Sequence, residues 1–204
     1  MTFFSSAKHQ FPVISQGQDI ETVPFLAACS EIVPFFDILG PTAFKPVKSD
    51  ISGNISRLQK KYDTDPSKYP TLQSIVDEEI AAGKSQGSSS CTIGLLWLKR
   101  ALEFIYVFME AVVQGEEDLV KCANKAYDSS LRKYHGWIVQ GVFSLAVRAV
   151  PYHKDLINGL KKDDSVSNEK VIADAQDFIV NLKSCIDEIN HFYTVRGQHS
   201  EDTV

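Results

Sequence analysis

The sequence predicts one all-α domain, and three observations lead to that prediction. Nearly every segment repeats its apolar residues at helical spacing, and no segment shows the clear alternation of a half-buried strand. The chain has 204 residues, which is long enough for one well-buried core. Its 44% hydrophobic and 23% charged residues are typical of an ordinary globular protein. We expect about eight helices, with more apolar surface on the central helices than a simple four-helix bundle needs.

The first half of the chain contains three predicted helices. The first spans residues 19–39, with Pro24 near its start and Pro34 producing a kink. The segment "GPTAFKP" then interrupts the helix, and residues 48–62 form the second one. The third, residues 71–82, lies between the turn cluster "DTDPSKYP" and the loop "GKSQGSSSC".

The second half begins with the most apolar helix. Residues 92–114, "TIGLLWLKRALEFIYVFMEAVVQ", are apolar almost all the way round, which is typical of the centre of a bundle. Residues 119–150 form a long helical region that bends at Gly136, Pro151 opens a further helix, and residues 168–193 form the last. We therefore expect an N-terminal extension over residues 1–18, a domain over 19–194 and a flexible tail over 195–204.

Composition excludes several classes of function. A formal net charge of −5 argues against a nucleic-acid binder and against strong attachment to anionic lipid. The four cysteines are dispersed, so we expect reduced, buried thiols and neither a disulfide framework nor a metal site. We see no secretory signal and no run of the about 18–20 apolar residues that a membrane span requires. The expected location is the cytoplasm.

A row of polar side chains lies beside the apolar stripe of the second helix. Asp50, Asn54 and Arg57 recur at i, i+4 and i+7, which places them on one face. Together they supply an acceptor, an amide that both donates and accepts, and a forked donor. This set suits a neutral polyhydroxyl ligand, whereas Asp50 would repel a phosphate. The same spacing also fits a solvated helix face.

Two tryptophan-containing segments supply further candidates. Trp97 fits either a core position or a platform for the C–H face of a sugar. Arg100 on the same face needs a partner, because a buried guanidinium is costly without one. His135 lies at the predicted bend, as a structural or a functional histidine. Trp137 and Tyr152 resemble the exposed aromatic residues of a membrane interface.

Catalysis is not expected from this sequence. It contains no G-x-S-x-G nucleophile elbow, no glycine-rich phosphate loop and no His/carboxylate cluster with metal-ligand spacing. We therefore expect no enzymatic activity, no cofactor and no metal.

Five segments together resemble the glycolipid transfer protein family. They are "PFFDILG", "FKPVKSDISGNISRL", "WLKRALEFI", "KYHGWIV" and "PYHKDL", and the resemblance extends over residues 20–193. Within the family, the chain is most similar to the fungal heterokaryon-incompatibility branch. The resemblance implies a two-layer helical fold that holds one glycosphingolipid, such as galactosyl-, glucosyl- or lactosylceramide, and shuttles it between membranes.

The resemblance also implies a role for each residue of the polar site. Asp50 would accept from the ceramide amide and from a sugar hydroxyl, while Asn54 and Arg57 would bind sugar hydroxyls. Trp97 would stack beneath the sugar, and His135 would donate to the ceramide carbonyl.

The resemblance implies two further groups of residues. Trp137 and Tyr152 match aromatic residues that contact the membrane surface transiently. The candidates for a tunnel around the lipid chains are bulky apolar residues that any core would also use: Phe35, Phe44, Phe104, Phe108, Leu131, Phe143 and Phe178.

The expected ligand is a sugar lipid rather than a phosphorylated one. A related branch that binds phosphorylated ceramide has cationic residues where this chain has Asn54 and Trp97. Two departures from the family pattern concern the site: Arg57 replaces the more common lysine, and the tail lacks the terminal tyrosine of animal members. The alternatives are a glycolipid sensor that acts through protein partners, which the sequence does not identify, and a carrier of phosphorylated ceramide.

Overall fold

The chain folds into an all-helical bundle, which confirms the predicted fold class. The structure, a computed structural model, describes all residues from 1 to 204. Its only β-type pairs are two isolated bridges. The nine α-helices are α1 (Thr22–Ile32), α2 (Phe35–Leu39), α3 (Lys45–Thr64), α4 (Leu72–Ala81), α5 (Cys91–Val113), α6 (Leu119–Ser130), α7 (Trp137–Ala146), α8 (His153–Gly159) and α9 (Asn168–Arg196). Short 3-10 helices occupy Arg132–Tyr134 and Val147–Ala149.

Helix α5 lies at the centre of the bundle. It packs against α3, α4, α6 and α9, and 16 of its 23 residues are buried. A single cluster of 52 buried residues forms the hydrophobic core, so the chain has one core. The central position predicted from the apolar circumference of this helix is therefore confirmed.

The start of α5 is fixed by a buried carboxylate from α4. Glu79 accepts hydrogen bonds from the backbone N–H groups of Cys91 and Thr92, at 2.8 and 2.7 Å, and from the Thr92 hydroxyl at 2.6 Å. The hydroxyl of Tyr193 on α9 donates to the Thr92 carbonyl at 2.6 Å. These bonds satisfy orphan donors at the helix N-terminus and set the rotation of α5 about its axis.

The predicted first helix is two helices in the structure. Proline lacks an N–H and its ring clashes with the preceding turn, so α1 ends at Ile32 and α2 begins after Pro34. By length and composition the stretch Thr22–Leu39 could cross a membrane, contrary to the expectation that no run is long enough. Half of these residues are buried inside the domain, where they form part of its core.

Both chain ends, the predicted N-terminal extension and the predicted flexible tail, contact the domain in the structure. Phe4 and Phe11 are buried in the core. The Thr2 hydroxyl donates to Asp174 of α9 at 2.8 Å. At the other end, Gly197 takes a positive φ of 61° and terminates α9, as a glycine cap does. The residues after it turn back towards α5 and α7.

Candidate functional site

A cavity of about 620 Å³ lies between α3, α5, α7 and the last residues of the chain. Helix α3 lines it with the polar row Asp50, Asn54 and Arg57. Helix α7 lines it with an apolar row at helical spacing: Val139, Val142, Phe143 and Ala146. Trp97, Arg100 and His135 also line it. One cavity therefore contains both polar and apolar walls.

The polar row is held in place by hydrogen bonds. The Asn54 amide donates to the Asp50 carboxylate at 3.2 Å. Arg57 Nη1 donates to the carbonyls of Ser88 and Ser90, both at 3.1 Å, and so connects α3 to the loop before α5. Asn54 is buried, whereas Asp50 opens into the cavity. The three residues share one face, as the helical spacing predicts.

Gly94 on α5 allows this row to sit directly on the central helix. A Cβ at this position would lie 3.0 Å from Arg57 Cδ and 3.4 Å from Asn54 Oδ1. Those separations are at or below ordinary carbon contact, so a larger residue would push the row away from α5. Gly94 was not among the predicted site residues, because a glycine inside a helix carries no sign of what it faces.

The structure brings Trp97 and His135 together from distant parts of the chain. Their rings are nearly parallel, with an interplanar angle of 14° and centroids 5.7 Å apart. The Arg100 guanidinium lies 4.7 Å from the Trp97 ring and 3.2 Å from the Tyr134 ring. His135 Nδ1 lies 2.9 Å from the hydroxyl of Tyr127 on α6, which orients the imidazole.

Burial shifts the ionisation of three groups around the cavity. It raises the pKa of Asp50, while Arg57 and Asn54 partly offset that effect. Although Asp50 is reachable by solvent, the cavity walls surround it with protein atoms. Burial, with the positive charge of Arg100, lowers the pKa of His135 below 6.5, so its imidazole is neutral at pH 7. Burial also lowers the pKa of Arg100.

The C-terminal residues form part of the cavity wall. Ser200, Asp202, Thr203 and Val204 line it, and Ser200 accepts a hydrogen bond from Arg100. Hydrogen bonds place these residues against the domain, and the flexibility of the tail stays a prediction. The sequence indicated that Arg100 needs a partner if it is buried, but it did not identify Ser200 as that partner.

Two of the seven predicted tunnel residues line the cavity, and a tunnel around lipid chains stays a prediction. Leu131 and Phe143 line the cavity. Five others are packed inside the core, because neighbouring side chains fill the space around them: Phe35, Phe44, Phe104, Phe108 and Phe178. Phe178 lies against two rings of the N-terminal segment, with centroids 4.8 Å from Phe4 and 5.8 Å from Phe11.

The outer side of α7 is exposed and apolar. Trp137 is 83% exposed and Tyr152, just before α8, is 85% exposed. Ile138 and Leu145 are also exposed, and α7 contains no charged residue. The same helix therefore presents one apolar side to the cavity and another to solvent.

The family model described as "Glycolipid transfer protein (GLTP)" matches residues 20–162. The glycolipid transfer protein of Danio rerio is 40% identical over 194 residues, covering 92% of this chain and 93% of that protein. Human pleckstrin homology domain-containing family A member 8 is 40% identical over 210 residues. That match covers 100% of this chain but 40% of the longer human protein.

Two solved structures extend the comparison to the fold. One concerns FAPP2, said to select simple glycosphingolipids using the GLTP fold; it has a TM-score of 0.92, 37% identity and full coverage of both chains. The fungal glycolipid transfer protein HET-C2 has a TM-score of 0.84 and 29% identity, also with full coverage. The TM-score and the sequence identity are both higher for FAPP2 than for the fungal protein, so these values do not support the predicted similarity to the fungal branch. This chain belongs to the glycolipid transfer protein family, whose members are lipid carriers rather than enzymes.

Proposed function

We propose that this protein binds one glycosphingolipid and carries it between membranes through the cytoplasm, without changing it chemically. The observation that carries the proposal is the shared cavity, in which the polar row of α3 faces the same space as the apolar row of α7. An amphiphilic ligand needs this combination, because its sugar requires hydrogen bonds and its chains require burial.

The headgroup is recognised by α3 and Trp97. Asp50 accepts from sugar hydroxyls and from the ceramide amide, and Asn54 exchanges hydrogen bonds with the hydroxyls. Arg57 binds a sugar hydroxyl through the part of its guanidinium that the loop carbonyls leave free. Trp97 packs against the C–H face of the sugar. A buried polar group left unpaired costs about 1–3 kcal/mol, so these contacts set selectivity.

The ceramide carbonyl is recognised by His135. When the Tyr127 hydroxyl donates to Nδ1, the neutral imidazole carries its proton on Nε2. That N–H donates to the carbonyl of the ceramide amide, while Asp50 accepts from the amide N–H. The lowered pKa of His135 supports this arrangement, because a neutral ring next to Arg100 avoids repulsion.

The hydrocarbon chains enter the core by separating aromatic rings. Phe143 in the cavity wall contacts Phe104, with ring centroids 5.9 Å apart. From there the contacts continue to Phe108 at 6.3 Å and on to Phe35 at 6.1 Å. Each buried methylene contributes about 0.8 kcal/mol, so the chains supply most of the affinity.

The exposed side of α7 is the membrane contact. Trp137 and Tyr152 insert their rings into the interface, where aromatic residues with a polar edge are favoured. Because α7 also forms a wall of the cavity, adsorption places the lipid site next to the bilayer.

A vesicle-to-vesicle assay with labelled galactosylceramide tests the function. The wild-type protein should transfer the lipid, and Asp50→Val and Trp97→Ala should each slow transfer by about 5- to 150-fold, the equivalent of 1–3 kcal/mol. Asp164→Val is the matched control, because Asp164 is exposed and does not line the cavity. Absence of transfer by the wild type, or equal rates for all variants, would refute the proposal.

Changing the lipid and adding partners separate the alternatives. Arg57 Nη1 is already occupied by two carbonyls and Asp50 is an acid, so glucosylceramide should be transferred faster than ceramide-1-phosphate. Faster transfer of the phosphorylated lipid would overturn the headgroup argument. Tight retention of glycolipid, with release only by a protein partner, would indicate a sensor instead of a carrier.

A further inference from the structure

The last residues of the chain, 200–204, form a strap along the wall of the cavity. The Val204 N–H donates to the Tyr134 carbonyl at 3.0 Å, and the Gly136 N–H donates to the Val204 carbonyl at 2.7 Å. These two bonds lie on either side of His135 in the sequence. The strap therefore lies next to His135, in the wall of the cavity in which headgroup recognition is proposed.

Arg100 is a buried cation whose hydrogen-bond partner is this strap. Its residue is 2% exposed and lines the cavity. Its Nη2 donates to the Ser200 carbonyl, its Nε has no partner, and no carboxylate forms a salt bridge with it. A guanidinium has five N–H donors, so a buried one with a single acceptor and a free N–H can bind another acceptor.

We propose that the strap is an internal substitute for the ligand's headgroup, and that Arg100 is a further headgroup-binding residue. In the free protein Arg100 donates to the Ser200 carbonyl. When a glycolipid displaces the strap, Arg100 donates instead to a hydroxyl oxygen of the sugar. This inference rests on the function proposed above and adds to it a specificity residue and its competitor.

The exchange replaces one acceptor by another, which keeps its cost low. A carbonyl and a hydroxyl oxygen both accept from a guanidinium, so Nη2 of Arg100 stays paired in both states. The strap is easily released, because its ion pair, Glu201 with Lys133 at 3.4 Å, is exposed. The strap also lies outside any helix.

Two single substitutions in the full chain loosen the strap. A Cβ at Gly136 would lie 3.2 Å from the Val204 carbonyl oxygen, so Gly136→Ala pushes the strap outward. The φ of −66° at Gly136 is one that alanine adopts readily. Val204→Pro removes the N–H that bonds Tyr134. Gly141→Ala is the matched control on α7, since a Cβ there meets nothing within 4 Å.

The first measurement needs no lipid. In a Trp137→Phe background Trp97 is the remaining tryptophan, and its quenching by acrylamide reports how well the cavity is covered. Gly136→Ala and Val204→Pro should raise the quenching constant at least about twofold over the Gly141→Ala control, because a local opening exposes the ring. Unchanged quenching would refute the strap whether or not the protein binds glycolipid.

The second measurement is equilibrium binding of short-chain galactosylceramide and of the matching sugar-free ceramide, with native Trp137. Gly136→Ala and Val204→Pro should tighten galactosylceramide binding by about 2- to 12-fold, the equivalent of one hydrogen bond of 0.5–1.5 kcal/mol. In the Gly136→Ala background, where the strap no longer competes, Arg100→Gln should weaken galactosylceramide binding by about 5-fold or more and leave ceramide binding unchanged.

Each other outcome overturns part of the reasoning. Equal losses for both lipids in Arg100→Gln would make Arg100 a structural residue only. Weaker binding by the two loosening variants would show that the strap closes over bound lipid instead of competing with it. If the wild type binds no glycolipid, the proposed function and the exchange both fail, while the quenching result still decides whether the strap covers the site.

Discussion

Replacing Gly94 by alanine should weaken lipid binding while changing the stability of the fold only slightly. Gly94 lies where α5 supports the polar row of α3, and the added Cβ would approach Arg57 Cδ to 3.0 Å and Asn54 Oδ1 to 3.4 Å. Ordinary carbon contacts lie at about 3.5–4.0 Å, so the Arg57 side chain has to move by a few tenths of an ångström. Its two hydrogen bonds, to Ser88 and Ser90, are 3.1 Å long and would lengthen and weaken as the side chain moves.

The two effects on stability oppose each other. Alanine is favoured over glycine inside a helix by about 1 kcal/mol. Displacing Arg57 costs a similar amount, about 1 kcal/mol, because its half-buried guanidinium can recover part of its bonding from water. The unfolding free energy should therefore change by less than about 1 kcal/mol. Binding should lose about 1–3 kcal/mol, a decrease of about 5- to 150-fold, because Asn54 and Arg57 no longer meet the headgroup.

Urea denaturation and the galactosylceramide transfer assay measure the two quantities separately. Gly53→Ala is the control, since Gly53 lies inside α3 and a Cβ there meets nothing within 4 Å. That variant should gain up to about 1 kcal/mol of stability and transfer lipid at the wild-type rate. If Gly94→Ala were stabilised like Gly53→Ala and transferred lipid normally, the proposal that the polar row packs on α5 at Gly94 would be wrong.

Other consequences can be checked with single variants. Glu79→Ala should lower the unfolding free energy by about 3 kcal/mol in urea denaturation, because three buried donors lose their acceptor. Glu79→Gln should lower it by about half as much. A change below about 0.5 kcal/mol in both variants would contradict the capping role. Trp137→Ala should reduce co-sedimentation with vesicles more than it reduces ligand affinity, and Trp97→Ala should reduce ligand affinity more than co-sedimentation. Equal losses in both assays would contradict the assignment of Trp137 to the membrane and Trp97 to the ligand. Burial and Arg100 place the folded-state pKa of His135 below the 6.5 of the unfolded chain, so the unfolded state binds more protons between these values and stability falls as pH drops through that window. His135→Gln should flatten this dependence in urea denaturation between about pH 7 and pH 5, and an unchanged slope would assign it to other groups.

Local periodicity by itself determined much of the fold. The apolar circumference of residues 92–114 predicted the central helix, and Pro34 predicted a kink at the place where the chain divides into α1 and α2. The i, i+4 and i+7 spacing of Asp50, Asn54 and Arg57 predicted that they share a face, because helical geometry alone fixes that relation. The segments that resemble the glycolipid transfer protein family then identified the family.

Only the tertiary structure decided which residues those helix faces contact. Arg100 donates to the carbonyl of Ser200, which is 100 positions further along the chain. Gly94 is the position on α5 against which the polar row packs. Phe178 belongs to the packing of the N-terminal segment, although its residue type suited the cavity equally well. Spacing along a helix fixes the direction of a side chain relative to its own axis. The partner in that direction depends on how separate helices and chain ends pack, which is decided by the free energy of the whole fold.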